Sequence, residues 1–208
     1  RYQQKDINND IMITFGFGGG KAEGTKIVTC HLGNGSSISA VKDGKCFDTT
    51  MGLTPLEGII MGTRCGSIDP AIIPVIMKSH NLTPDEVDHL MNKKSGMLGL
   101  AGTSDNRTIE QMSNDGNKKA QLVENMLCHQ LTKYIGGFAA AMGGVDAIVF
   151  TGGIGGKKTH LRIRGGEKNK ILGNENDGRK KRNRGGEGEN SVSRPKGKKV
   201  FISNKERL

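Results

Sequence analysis

Aromatic residues are scarce, at 4% of the 208-residue chain, and Phe201 is the only one after residue 156. A nucleic-acid surface of basic residues interleaved with stacking rings is poorly supported by that pattern. No run approaches the ~18 apolar residues of a membrane-spanning helix, so no membrane partner is expected. The four cysteines, Cys30, Cys46, Cys65 and Cys128, stand far apart with no Cys-x-x-Cys spacing. That argues against a zinc site and fits free thiols in a reducing, cytoplasmic compartment. His80, His89, His129 and His160 make no metal-ligand spacing with one another or with cysteine. No Gly-x-x-x-x-Gly-Lys-Ser/Thr segment is present, which excludes a P-loop protein, and no Gly-x-Ser-x-Gly elbow is present either. The first residue is Arg1 and no signal-peptide pattern follows, as expected of a fragment or a processed chain.

What the sequence has in excess is glycine, 32 residues, and positive charge, a formal +10. The charge is not evenly spread. Residues 156–208 hold 17 Lys+Arg against 6 Asp+Glu, so residues 1–155 are close to neutral. The tail also carries few apolar residues and runs such as Arg179-Lys180-Lys181-Arg182. Its composition is that of a disordered segment. Residues 1–155 instead alternate apolar stretches with turn signals, as a folded α/β chain does.

Lys26 to Leu32 reads as a strand rich in β-branched residues. Gly33-Asn34-Gly35 forces a turn, Ser36 to Val41 is the next strand, and Lys42-Asp43-Gly44-Lys45 is a hairpin turn into Cys46–Thr49. Asp69-Pro70-Ala71 starts a helix with proline in its first turn. Thr83-Pro84-Asp85-Glu86 is a capping box heading a helix to about Asn92. Lys118 to Met142 is the longest periodic segment, with Leu122, Val123, Met126, Leu127, Leu131, Ile135, Phe138 and Met142 at helical spacing. Within it, Gly136-Gly137 either bends the helix or admits another backbone. Val145 to Phe150 is a short buried strand running into Thr151-Gly152-Gly153-Ile154-Gly155-Gly156. Ligands of open α/β sheets bind at such strand ends.

Four segments carry candidate chemistry. In His31-Leu32-Gly33-Asn34-Gly35-Ser36-Ser37, free backbone N–H groups and the absence of side-chain bulk suit phosphate oxygens. An ordinary hairpin turn has the same residues. Arg64, between Gly62 and Gly66, offers a planar fork of donors to a phosphoryl group, or is a solvated loop residue. Asp69 fits a helix cap better than a catalytic acid. The loop Gly152 to Gly156 can clamp a nucleotide through its backbone, or serve as a plain turn. Ser104-Asp105-Asn106-Arg107 reads as a surface turn, with a base or ribose contact as the alternative.

Taken in order, these segments resemble the acetokinase family. The stretch "TCHLGNGSSISAVKDGKCFDTTMGLTPLEGIIMGTRCGSIDPAIIPVIM" carries the resemblance from Thr29 to Met77, and "SGMLGLAGTSDNRTIE" and "KYIGGFAAAMGGVDAIVFTGGIG" continue it, covering about residues 26–155. The resemblance implies an α/β fold, the ribonuclease-H-like, actin-like ATPase fold shared by acetate and sugar kinases, Hsp70 and actin. It implies a nucleotide-binding C-terminal domain over residues 1–155 and a degenerate, poorly ordered tail over 156–208. It further implies transfer of the ATP γ-phosphoryl group to acetate, giving ADP and acetyl phosphate, with Mg2+, in a cytoplasmic homodimer.

Carried onto this sequence, His31, Leu32, Gly33, Asn34 and Gly35 become the phosphate-binding loop, with Asn34 near the transferring group. Arg64 becomes the residue stabilising the transition state. Asp105, Asn106 and Arg107 would hold adenosine. Gly152, Gly153, Ile154, Gly155, Gly156 and Lys157 would form the second phosphate loop, although Gly156-Lys157 replaces the family's Glu-Asn. Ser67 stands where the family has Asp. Glu206 matches a magnesium-associated glutamate within the faint echo "RGGEGENSVSRPKGKKVFISNKERL". The family's catalytic histidine and carboxylate-binding arginine would precede Arg1, so the chain alone is expected to be inactive. Propionate or butyrate remains an alternative substrate, and a nucleic-acid-binding module using the basic tail is the alternative of another class.

Overall fold

The computed structural model describes residues 22–153 and two later strands, residues 190–193 and 199–202. The chain falls into two compact units. Of the described residues, one unit comprises residues 22–33, Ser37–Thr50, residues 128–153 and the two later strands; the other comprises Asn34–Ser36 and Met51–Leu127.

The first unit is built on a sheet of β1 (Lys26–Leu32), β2 (Ser36–Lys42), β3 (Lys45–Thr49) and β4 (Ala147–Thr151), in the order β3-β2-β1-β4. β1 is buried on both faces except at Lys26 and His31, as a central strand with neighbours on each side should be. Ile27 and Val41 cluster with Ala147 and Val149 of β4. β3 is an exposed edge, blunted by Lys45 and Asp48. The β2–β3 hairpin turns at Asp43-Gly44, with φ of 53° and 72°, the left-handed pair such a turn requires. The Asp43 carboxylate accepts the Gly24 N–H at 2.7 Å.

β4 pairs with β1 in parallel, Ile27 opposite Ala147 and His31 opposite Thr151. The start of that register is pinned twice. The Lys26 N–H donates to Asp146 Oδ2 at 2.9 Å, and the Asp146 N–H donates to the Lys26 carbonyl at 2.7 Å. Two strands of the basic tail, Asn190–Ser193 and Lys199–Ile202, form an antiparallel pair of their own.

The second unit is helical: α1 (Ile72–His80), α2 (Pro84–Lys93), α3 (Gly96–Ala101), α4 (Asn106–Asn114) and the start of α5 (Lys118–Met142). α2 opens on the expected capping box. Glu86 N–H donates to Thr83 Oγ1 at 3.3 Å, and Thr83 N–H donates to Glu86 Oε2 at 2.8 Å. These bonds to Thr83 hold the Glu86 carboxyl below its ordinary range.

α1 begins at Ile72, two residues later than expected with Asp69 as its cap. The Asp69 carboxylate accepts the Ala71 N–H at 2.9 Å, and the Ile72 N–H reaches only as far back as the Asp69 carbonyl, so Asp69-Pro70-Ala71 is a tight turn before the helix. Asp69 therefore orders the approach to α1, and Ala71 stands at its cap.

α5 spans the predicted residues. Val123, Leu127, Leu131, Ile135, Phe138 and Met142 are buried along it, but Leu122 lies off that stripe and is 48% exposed. At Gly137 a Cβ would meet nothing within 4 Å among the described residues, so none of their backbones requires that glycine. All four cysteines are free. Among the described residues no helix is long and apolar enough to cross a membrane.

Leu131 is fully buried. Leu131→Ala is expected to lower unfolding free energy by about 2–5 kcal/mol in urea denaturation, whereas Leu122→Ala should stay within about 0.5 kcal/mol. Equal losses at the two positions would contradict this placement of the α5 stripe. Thr83→Ala removes the capping box and should cost about 1 kcal/mol in the same experiment.

Candidate functional site

In the first unit the chemistry gathers where β1 and β4 end. The two strands are parallel, so their C-terminal ends share one edge of the sheet. There His31 Nδ1 lies 3.0 Å from Thr151 Oγ1. His31 is exposed while Leu32 beside it is buried.

The next residue of β4's exit is Gly152, at φ +79°. A Cβ there would stand 2.5 Å from the Leu32 carbonyl oxygen and 2.7 Å from its carbon. Any other residue would need both a strained backbone and a displaced β1. The chain thus turns closely over the end of β1. Thr151 was absent from the sequence-derived site; its one signal was its place between an apolar strand and the Gly152-Gly153 pair. Ile154, Gly155, Gly156, Lys157 and Glu206 lie outside the described residues.

The second unit brings together Asn34, Gly35 and Arg64. The Gly62 N–H donates to the Asn34 carbonyl at 2.9 Å. A Cβ on Gly62 would stand 1.9 Å from Asn34 Oδ1, so Gly62 makes room for that side chain. Arg64 Nη1 lies 3.4 Å from where a Gly35 Cβ would be. It donates to the Pro55 carbonyl at 3.2 Å and to Met61 Sδ at 3.6 Å. Both acceptors are neutral. Among the described residues Arg64 has no carboxylate partner, which leaves its charge for an anion.

Backbone bonds hold the Arg64 loop. The Met97 and Leu98 N–H groups at the start of α3 donate to the Met61 and Gly62 carbonyls, each at 2.9 Å. The Ser95 N–H donates to the Thr63 carbonyl at 3.0 Å, and Thr63 Oγ1 donates to the Asn92 carbonyl at 3.0 Å. Gly96, at φ +60°, is pressed against this loop: its Cβ would stand 2.2 Å from the Met61 oxygen and 2.6 Å from the Arg64 oxygen. Ser67, at the position where the family resemblance expects Asp, closes the loop by accepting the Gly58 N–H at its Oγ, 3.1 Å away.

Ser104 to Arg107 lies at the surface as expected, but as the start of a helix rather than a turn. Asp105 caps α4, its Oδ1 accepting the Arg107 N–H at 2.9 Å. Asn106 and Arg107 form the helix's first turn, with Arg107 exposed. No hydrogen bond joins Asp105, Asn106 or Arg107 to Asn34 or Arg64 among the described residues. The Cys65 thiol is pushed up by burial, and so is Cys46, where the Asp48 charge adds to the effect. Neither is a poised thiolate. Among the described residues no group of three His, Cys, Asp or Glu side chains could hold a metal ion.

The chain has the α/β fold of the actin-like ATPases, in which acetate kinases are its structural neighbours. The chain is a member of the Acetokinase family, whose profile matches residues 18–207, taking in the tail as well as the body. It is 49% identical to an acetate kinase of Treponema denticola over 184 residues, 88% of this chain and 46% of that protein. Against an acetate kinase of Methanosarcina thermophila it is 51% identical over 172 residues, 76% of this chain and 42% of that protein. The crystal structure of Porphyromonas gingivalis acetate kinase superposes with a TM-score of 0.86 at 37% identity, covering 94% of this chain and 49% of that one. A propionate kinase from Francisella tularensis superposes with a TM-score of 0.79 at 35% identity, over 88% of this chain and 46% of that one. The chain spans about half the length of the curated relatives it matches.

Gly96→Ala is expected to destabilise the chain by more than ~1 kcal/mol, since it combines an unfavourable φ with two backbone carbonyls in the way. Gly62→Ala should cost less, because the Asn34 side chain can swing aside. Thermal unfolding of the two variants checks the order. The reverse order would mean that the Arg64 loop does not rest on α3 as described.

Proposed function

We propose that this chain is the nucleotide-binding part of an acetate kinase, which transfers the γ-phosphoryl group of ATP to acetate and forms acetyl phosphate reversibly. The observation that carries the proposal is Arg64, fixed beside Gly35 and, among the described residues, with neutral partners only. Phosphoryl transfer asks a protein for positioning and for neutralisation of charge on the equatorial oxygens. An arginine with unmatched charge on a backbone-fixed loop suits that demand, because little reorganisation is needed as the charge develops. In this reading Asn34 adds a neutral donor near the transferring group. His31, Leu32, Gly33 and Gly35 line the phosphates, and Gly152 with Gly153 lets a second phosphate segment approach the backbone. Asp105, Asn106 and Arg107 meet adenosine, with Asp105 acting through its cap of α4.

Magnesium would travel with the nucleotide, held mainly by phosphate oxygens and water. The described residues do not make a metal site of their own, and Glu206 is the residue assigned to it by resemblance. A homodimer and a cytoplasmic setting complete the proposal; the four free cysteines agree with the latter.

Titration calorimetry with ATP tests the nucleotide part. Saturable binding that Gly152→Val abolishes is expected, and no binding by the unaltered chain overturns the reading. In enzyme competent for acyl phosphate formation, Arg64→Ala should lower kcat by about 10²–10³-fold, with a far smaller change in ATP affinity. The propionate kinase neighbour makes propionate the second reading. Comparing kcat/KM for acetate, propionate and butyrate decides between them.

A further inference from the structure

The proposed nucleotide reading gives His31 a phosphate to contact, and the inference drawn here rests on that reading. It concerns what orients the His31 ring. The ring lies at the exposed end of β1, where an unsupported imidazole would sample several rotamers and both tautomers. Thr151 stands opposite it in the parallel register, and Oγ1 is 3.0 Å from Nδ1. Among the described residues the other ring nitrogen, Nε2, has no hydrogen-bond partner.

The Thr151 hydroxyl is itself well placed to act as a support. Its residue is β-branched and therefore stiff about χ1. Its strand is held by the ladder with β1, and the next residue, Gly152, closes over the Leu32 carbonyl. A neutral imidazole carries one donor and one acceptor nitrogen, and the partner of one decides the role of the other. A hydroxyl that donates to Nδ1 leaves the proton on Nε2. Ionised phosphate oxygens accept hydrogen bonds and do not donate them, so a phosphate contact needs Nε2–H. The same hydroxyl accepts from Nδ1–H when the ring is charged, so the support survives protonation.

We propose that Thr151 is a positioning residue for His31: its hydroxyl fixes the ring's orientation and keeps the proton on Nε2, presenting that N–H to a phosphate oxygen of the nucleotide. Neither residue exchanges a proton with substrate in this role.

The test uses the 15N-labelled 208-residue chain and long-range 1H–15N correlation spectra of its imidazoles, with His31→Gln to assign the His31 signals. In the wild-type chain, and in Thr151→Ser, His31 is expected to be in the Nε2–H form. In the near-isosteric Thr151→Val the two tautomers should mix, and the His31 signal should need about three- to tenfold more ATP to reach its half-shift, the loss typical of one hydrogen bond. Backbone amide signals of β1 and β4 should hold their dispersion in all three proteins.

If Thr151→Val does not fold, Thr151→Ala takes its place, since it removes the hydroxyl without placing a methyl group there. An Nδ1–H form in the wild-type chain overturns the proposal. So does an unchanged tautomer and ATP response in the variant that lacks the hydroxyl. A wild-type chain in which ATP shifts no resonance refutes the nucleotide reading instead, and the tautomer result then decides the Thr151–His31 contact on its own.

Discussion

The parallel pairing of β1 with β4 is the constraint on which the rest of the first unit depends. Antiparallel neighbours would end on opposite edges of the sheet; parallel ones end together. That is how His31 and Thr151, separated by 120 positions in sequence, come to lie 3.0 Å apart. The pairing is fixed at its start by the reciprocal bonds of Lys26 and Asp146 and along its length by the apolar face that Ile27 shares with Ala147 and Val149. A slip of one residue would take Ile27 off the face it shares with Ala147 and Val149 and separate His31 from Thr151. The register therefore serves the core and the strand-end site together.

The second unit solves a different problem, how to keep an arginine still without neutralising it. A carboxylate would hold Arg64 firmly but would also cancel the charge that an anionic ligand needs. Among the described residues the guanidinium meets one carbonyl and one thioether, and main-chain bonds hold the loop that carries it. Rigidity comes from the start of α3, where consecutive N–H groups meet the carbonyls of Met61 and Gly62. Gly96 lets the two backbones approach that closely.

Elements with strong internal pattern were legible in the sequence. β1 and α5 begin and end where β-branched content and helical spacing place them, and the α2 capping box was readable from four residues. Elements that depend on a partner were not. α3 is six residues long and two of them are Gly96 and Gly99, which offset the helix propensity of its Met, Leu and Ala residues; the loop it clasps supplies the reason it forms. α4 was hidden because Asp105 and Asn106 favour turns as readily as helix starts. Leu122 matched the spacing of α5 only approximately, and a small error in phase was enough to move it from core to surface. For the site, the glycines and Arg64 stood out by type and neighbours. Thr151 did not, since its importance comes from a strand register that local pattern does not encode.

The long separation between β1 and β4 also orders events during synthesis. β1 with its hairpin leaves the ribosome ahead of β4 and can form by local contacts alone. Its parallel partner is translated about 120 residues later, which at ordinary elongation rates is roughly 6–24 s. Throughout that interval β1 lacks β4 on that edge, and His31 has no Thr151. The strand-end site is thus among the last features of the described chain to come into existence, and the nascent protein must keep a buried-type strand edge from other partners until β4 arrives.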